Sequence, residues 1–197
     1  MTSPKVSALP RRLALYACLY VALSLTTPGA FAADPDQRSL ISLARAAVRA
    51  EVEGKSLPPS PRRSPPRPVF VTIESRGLVL GCRGALECRC ASLEEEVVLA
   101  ARAAAKHDPR HRPLTPKDLA DFQVTVTVIE RQEPLDRVDS LRPEDGLVLE
   151  CQGRIGVVLP WEGKDPQVRL KWAYRKAGVP DGTACRLYRL EAKRTRG

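Results

Sequence analysis

Apolar residues recur at helical spacing through 34–52, at Leu40, Ile41, Leu43, Ala44, Ala47 and Val48, and predict a helix that lays one face on a core. The period shortens after a break. Val69-Phe70-Val71-Thr72-Ile73-Glu74 reads as a strand, Ser75-Arg76-Gly77 as a turn and Leu78-Val79-Leu80 as a second short strand, together a hairpin. Ser92 with Glu95 three residues on marks a helix start, and Leu93, Val97, Ala100, Ala101 and Ala104 carry its apolar stripe to Lys106, with His107 and Asp108-Pro109 at its end. Thr115-Pro116-Lys117-Asp118 opens a second, short helix through Leu119 and Ala120. Phe122, Val124, Val126 and Val128 give the next strand an apolar face.

The second half repeats the strand pattern. Segments 146–151 and 154–159 flank Gln152-Gly153, a hairpin turn with glycine available for a positive backbone angle. Asp165 and Pro166 open a helix that Gly178 closes, and alternation from Ala184 to Leu190 predicts a last strand. Hairpins mixed with helices, without a repeated strand–crossover unit, give an α+β fold: a mostly antiparallel sheet with flanking helices. Residues 54–68 hold Pro58, Pro59, Pro61, Pro65, Pro66 and Pro68 with Arg62, Arg63 and Arg67, an extended connector.

Composition bears on compartment. Lys5, Arg11 and Arg12 precede an apolar stretch at 13–23 and Ala30-Phe31-Ala32-Ala33, the order of a signal peptide over 1–33 that leaves a mature chain starting near Asp34, with no membrane anchor and a periplasmic or secreted destination. The mature organisation is then an N-terminal helix at 34–53, the Pro/Arg-rich connector at 54–68, the rest of one domain at 69–192 and a basic tail at 193–197. Losing the leader lowers the formal charge of +9 by three. The remaining basic clusters sit in the connector and tail without interleaved aromatics, so no specific nucleic-acid partner is expected. Cys82, Cys88, Cys90, Cys151 and Cys185 remain, an odd set whose disulfide pairing stays open.

Three ordered stretches resemble the AMMECR family, in particular protein A of the bacterial AmmeMemoRadiSam system: Gly77-Leu78-Val79-Leu80-Gly81-Cys82-Arg83-Gly84-Ala85-Leu86; Asp108-Pro109-Arg110 with Pro113-Leu114-Thr115-Pro116 and Leu119; and Gly146-Leu147-Val148-Leu149, Gly153, Gly156 and Leu159-Pro160 with Lys176-Ala177-Gly178-Val179-Pro180. The resemblance spans about 36–192. It implies an α+β fold with a larger and a smaller lobe, and association with a radical SAM protein and a Memo-like protein, an association that export would sever. The chain departs from the family segment at Leu80, where the family has arginine, at Arg83, where it has isoleucine, and at Ala85, where it has threonine.

The candidate site is the Gly81–Leu86 stretch, read as a turn. Gly81 and Gly84 let backbone approach a ligand, Arg83 supplies a cation, and Cys82 is the nucleophile if the site is catalytic, with Arg83 favouring its thiolate. Binding residues are therefore Gly81, Cys82, Arg83 and Gly84, and the catalytic candidate is Cys82. His107 and His111 stand four apart, with Asp108-Pro109 between them breaking helical stacking. No metal set is assigned, since Cys88-x-Cys90 lacks a second pair, and no cofactor is assigned. The expected function is a ligand-binding or partner-docking module, for a small anionic ligand or a protein. The alternative is a thiol-dependent enzyme acting on an anionic substrate.

Overall fold

The computed structural model describes residues 36–197, so the expected leader at 1–33 lies outside the described residues. Helix α1 (Gln37–Glu53) starts where the Asp36 carboxylate accepts the Arg38 amide and stops at Gly54 in the left-handed region. Strands β1 (Val69–Ser75) and β2 (Leu78–Gly84) form the expected hairpin. Helix α2 (Leu93–Lys106) is capped by Ser92, whose hydroxyl accepts the Glu95 amide, and Pro116–Leu119 forms a short 3-10 turn under a Thr115–Asp118 capping box. Strand β3 (Phe122–Pro134) is followed by hairpin β4 (Gly146–Cys151) and β5 (Arg154–Val158), whose turn holds Gln152 and Gly153 at φ 50° and 76°. Helix α3 (Pro166–Ala177) and strand β6 (Arg186–Arg196) complete the chain.

All pairings are antiparallel, in the order β2-β1-β3-β6-β4-β5, so β2 and β5 are the two edges of one six-stranded sheet. Helices α1 and α2 cover β1 and β3 around a larger core that includes Val48, Val71, Ile73, Val97 and Val124. Helix α3 covers β4 and β5 around a smaller core with Leu147, Leu149, Val158 and Ala173. This is the α+β arrangement expected from the pattern.

Of residues 193–197, read above as a basic tail, 193–196 instead finish β6, with Lys193 paired to Val128 and Arg196 to Thr125, and Gly197 just beyond it exchanges backbone hydrogen bonds with Val124. Lysines and arginines can end a strand because only one face of it needs to be apolar, and their long side chains reach neighbouring carboxylates, as Arg196 reaches Glu74 at 2.9 Å. The connector is extended as expected, but one point of it is pinned. The buried Glu94 carboxylate accepts the Arg63 amide, the Ser64 amide and the Ser64 hydroxyl, the last at 2.9 Å. Replacing Glu94 by alanine is expected to free this segment, with tryptic cleavage after Arg62 and Arg63 accelerated on the order of tenfold under native conditions.

Candidate functional site

The 81–84 stretch is not a turn. It is the end of edge strand β2, with Gly81 paired to Ile73, Cys82 to Thr72, Arg83 to Val71 and Gly84 to Phe70. Its glycines serve close packing: a Cβ on Gly81 would lie 2.1 Å from the Ala104 carbonyl oxygen of α2, and one on Gly84 2.2 Å from that of Val69. Gly156 does the same for the other edge, where a Cβ would lie 1.9 Å from the Ala173 oxygen of α3. Each edge strand is thus pressed against a helix through a glycine. A bulge makes Leu80 an extra residue opposite Ile73 and Glu74, and its side chain packs on the larger core.

The Cys82 backbone is held from both sides by one ion pair. Asp108, with a side chain only 1% exposed, accepts the Cys82 amide at 2.8 Å, and Arg110 donates to the Cys82 carbonyl at 2.7 Å. Arg110 also binds both carboxylate oxygens of Asp108, at 2.9 and 2.8 Å. Burial alone would raise the Asp108 pKa, but the guanidinium and the Cys82 and Arg110 amides outweigh it and hold the carboxyl down at about 2.

The Cys82 thiol is a different matter. Burial pushes it up, the Thr72 hydroxyl donates to Sγ at 3.2 Å, Glu162 adds to the rise, and the cations opposing it are Arg110 and Lys176. The expected thiolate bias from Arg83 is therefore not what the geometry produces. The charges that act on the thiol are those of Glu162, Arg110 and Lys176, and Arg83 is not among them. The hydrogen-bond partner of Sγ among the described residues is a hydroxyl rather than a base. The two histidines are also separated in role: His107 lies 3.9 Å from Glu51, and His111 lies 4.0 Å from Asp108.

The sheet curls far enough for its two edges to line one open cleft of about 620 Å³. Edge β2 and the loop after it supply Cys82, Arg83, Gly84, Ala85, Leu86, Glu87 and Arg89, and Phe70 adds an aromatic wall. The opposite wall is Ile155, Val157 and Leu159 with Glu162 and Lys176, and Pro109 and Arg110 form one end. Cys82, Arg110, Leu159 and Glu162 also line an adjoining hollow of about 390 Å³ with Thr72, His111 and the exposed Trp161, over which Arg194 stacks at 5.7 Å.

Two of the cleft's cations are engaged by protein carboxylates, Arg110 by Asp108 and Lys176 by Glu162 at 2.5 Å. Arg83 enters no ion pair among the described residues, and its Nε is buried without a hydrogen-bond partner. Cys88 is exposed and Cys90 half-buried, their thiols pushed up by burial and then by Glu96, which accepts the Arg89 and Cys90 amides. Among the described residues no group of three His, Cys, Asp or Glu side chains is placed to hold a metal, and no helix is long and apolar enough to cross a membrane.

Sequence reasoning named Gly81, Cys82, Arg83 and Gly84 but not Arg110, Glu162, Lys176, Ile155 or Val157 as their companions. A usable sign was present, because each of the three stretches that carry the family resemblance contributes to this cleft: 82–86, then Pro109 and Arg110, then Leu159 and Lys176. Pattern alone does not bring 82 and 176 together; the curl of the sheet does.

A curled antiparallel sheet with helices over both halves and a cleft between its edges defines an α+β domain. The chain belongs to the AMMECR1 family, whose model matches residues 41–195. It is 34% identical over 184 residues to a protein of Thermofilum pendens, covering 78% of this chain and 86% of that one. It is 37% identical over 164 residues to one of Aeropyrum pernix, covering 75% and 71%. The crystal structure of an uncharacterized protein from Pyrococcus horikoshii superposes with a TM-score of 0.68 at 25% identity, covering 80% of this chain and 89% of that one.

Proposed function

We propose that this protein is a binding module whose cleft takes a small molecule with an anionic group and a short apolar body. The observation that carries this reading is Arg83, a cation on the cleft wall with no carboxylate partner among the described residues and a buried, unpaired Nε. With no protein carboxylate on this guanidinium, an incoming carboxylate or phosphate can supply its charge-assisted partner. Phe70, Leu86, Ile155 and Val157 suit the apolar part, and the volume is in the range of small-molecule sites. A thiol-dependent reaction at Cys82 draws less support, since its thiol is pushed up and its partner Thr72 is no base.

Thermal shift with a panel of small carboxylates and phosphate esters, each beside its neutral amide or alcohol, tests the reading. At least one anion should stabilise the protein where its neutral analogue does not, and Arg83→Ala should weaken that anion on the order of tenfold or more while Arg83→Lys retains part of it. Equal responses to anions and neutral analogues, or unchanged affinity in Arg83→Ala, would contradict it.

The reading includes export through 1–33, which would make this a divergent relative of protein A of the bacterial system, separated from radical SAM and Memo-like partners by the membrane. N-terminal sequencing of protein from fractionated cells should give a start at Ala33 or Asp34 outside the cytosol. An intact Met1 chain confined to the cytosol would refute export.

A further inference from the structure

Cys151 closes β4, and Cys185 stands one residue before β6. The ladder between these strands pairs Val148 with Tyr188, Leu149 with Leu187 and Glu150 with Arg186, so one further step in register sets Cys151 opposite Cys185. Directly opposed residues of an antiparallel pair hold their Cα atoms about 4.5–5.5 Å apart, inside the roughly 4.4–6.8 Å that a disulfide requires. Both cysteines pack in the smaller core, Cys151 buried and Cys185 partly so. Burial first, and then the neighbouring Cys151 thiol, push the Cys185 thiol up to about 11, which places the two sulfurs in each other's field. Cys82, Cys88 and Cys90 belong to the other half of the sheet or to the loop that follows it.

We propose that Cys151 and Cys185, both thiols in this structure, are the pair that oxidation joins, and that their disulfide locks the far wall of the cleft. The oxidant is a low-molecular-weight disulfide. The Cys185 thiolate attacks one of its sulfurs, and the other sulfur leaves and takes up a proton. The Cys151 thiolate then displaces the remaining small thiol from Cys185 Sγ, so that two protein thiols are oxidised and one small disulfide is reduced to two thiols. The bond closes 151–185, the segment that contains Ile155, Val157, Leu159, Glu162 and Lys176. Its bearing on ligand binding rests on the anion-binding reading above, whereas the bond and the rigidity of this segment do not.

The test uses the wild-type chain. The protein is incubated with oxidised glutathione, its remaining thiols are alkylated under denaturing conditions, and the cysteines are mapped by peptide mass. The expected result is a Cys151–Cys185 linked peptide lighter by two hydrogens, a Tm about 10 °C above that of the dithiothreitol-treated protein, and amide exchange across 154–177 slowed on the order of tenfold. Recovery of both cysteines as alkylated thiols, or a Cys88–Cys90 bond with Cys151 and Cys185 free, overturns the pairing. A mapped bond with unchanged exchange across 154–177 overturns the lock. Neither result depends on whether the anion panel finds a ligand, so the two proposals fail separately.

Discussion

Asp108→Asn is expected to lower stability by about 2–3 kcal/mol at neutral pH, with the loss concentrated where β2 meets α2. The carboxylate is almost fully enclosed and accepts from the Cys82 amide, the Arg110 amide and the Arg110 guanidinium at once. Asparagine keeps the shape but removes the charge that satisfies them. The cost falls at the low end for a broken buried pair because Arg110, half-exposed, can turn to water. The sign with pH follows from the folded pKa, which is lowered from 3.8 to about 2. The Asp108 contribution is therefore fully present above the unfolded value, near 4, and is lost as pH falls through about 2. Urea unfolding of both proteins from pH 7 to pH 2 should show a gap that closes below pH 4. A gap of constant size across that range would mean that the charge of Asp108 is not what holds β2.

Gly81→Ala and Gly156→Ala should each cost about 2–3 kcal/mol, lowering Tm by about 5–10 °C. In each case the added Cβ meets a helix carbonyl oxygen at 2.1 or 1.9 Å, a contact that only a displacement of helix from strand relieves. The two sites lie in different cores, so the double variant should show nearly the sum. Gly54→Ala separates crowding from backbone strain: it has open space for a Cβ but a φ of +67°, and should cost about 1 kcal/mol. Differential scanning calorimetry of the wild type and the four variants decides this, and Gly81→Ala no worse than Gly54→Ala would refute the close-packing role.

The parts of the fold that were legible in sequence are those with local causes. Gln152-Gly153 supplies the two positive φ angles of the β4–β5 hairpin, and Asp165, Pro166 and Gly178 delimit α3 at both ends. What escaped reading is decided at long range. The far end of β3, Glu130 to Pro134, and the end of β6 are charged and show no apolar alternation. Each is a strand because it pairs with the apolar part of its neighbour: Gln132 and Pro134 stand opposite Leu190 and Tyr188 of β6, and Lys193 and Thr195 stand opposite Val128 and Val126 of β3, helped by cross-strand contacts such as Arg131 with Glu191 at 2.7 Å. The site was half legible in the same way. Glycine spacing drew attention to 81–84, but a glycine that admits a helix looks in sequence like one that permits a turn, and the partners of Cys82 are fixed by tertiary packing.

The central claim is that the cleft between the edge strands binds anions through Arg83. Two-dimensional amide NMR of labelled protein titrated with inorganic phosphate, and separately with a small apolar carboxylate such as butyrate, tests it most directly. The account predicts saturable shifts that cluster at 82–89, 155–162 and 176, strongest at Arg83, and that disappear in Arg83→Ala. Shifts scattered over the surface basic residues, or a cluster elsewhere that survives Arg83→Ala, would contradict it.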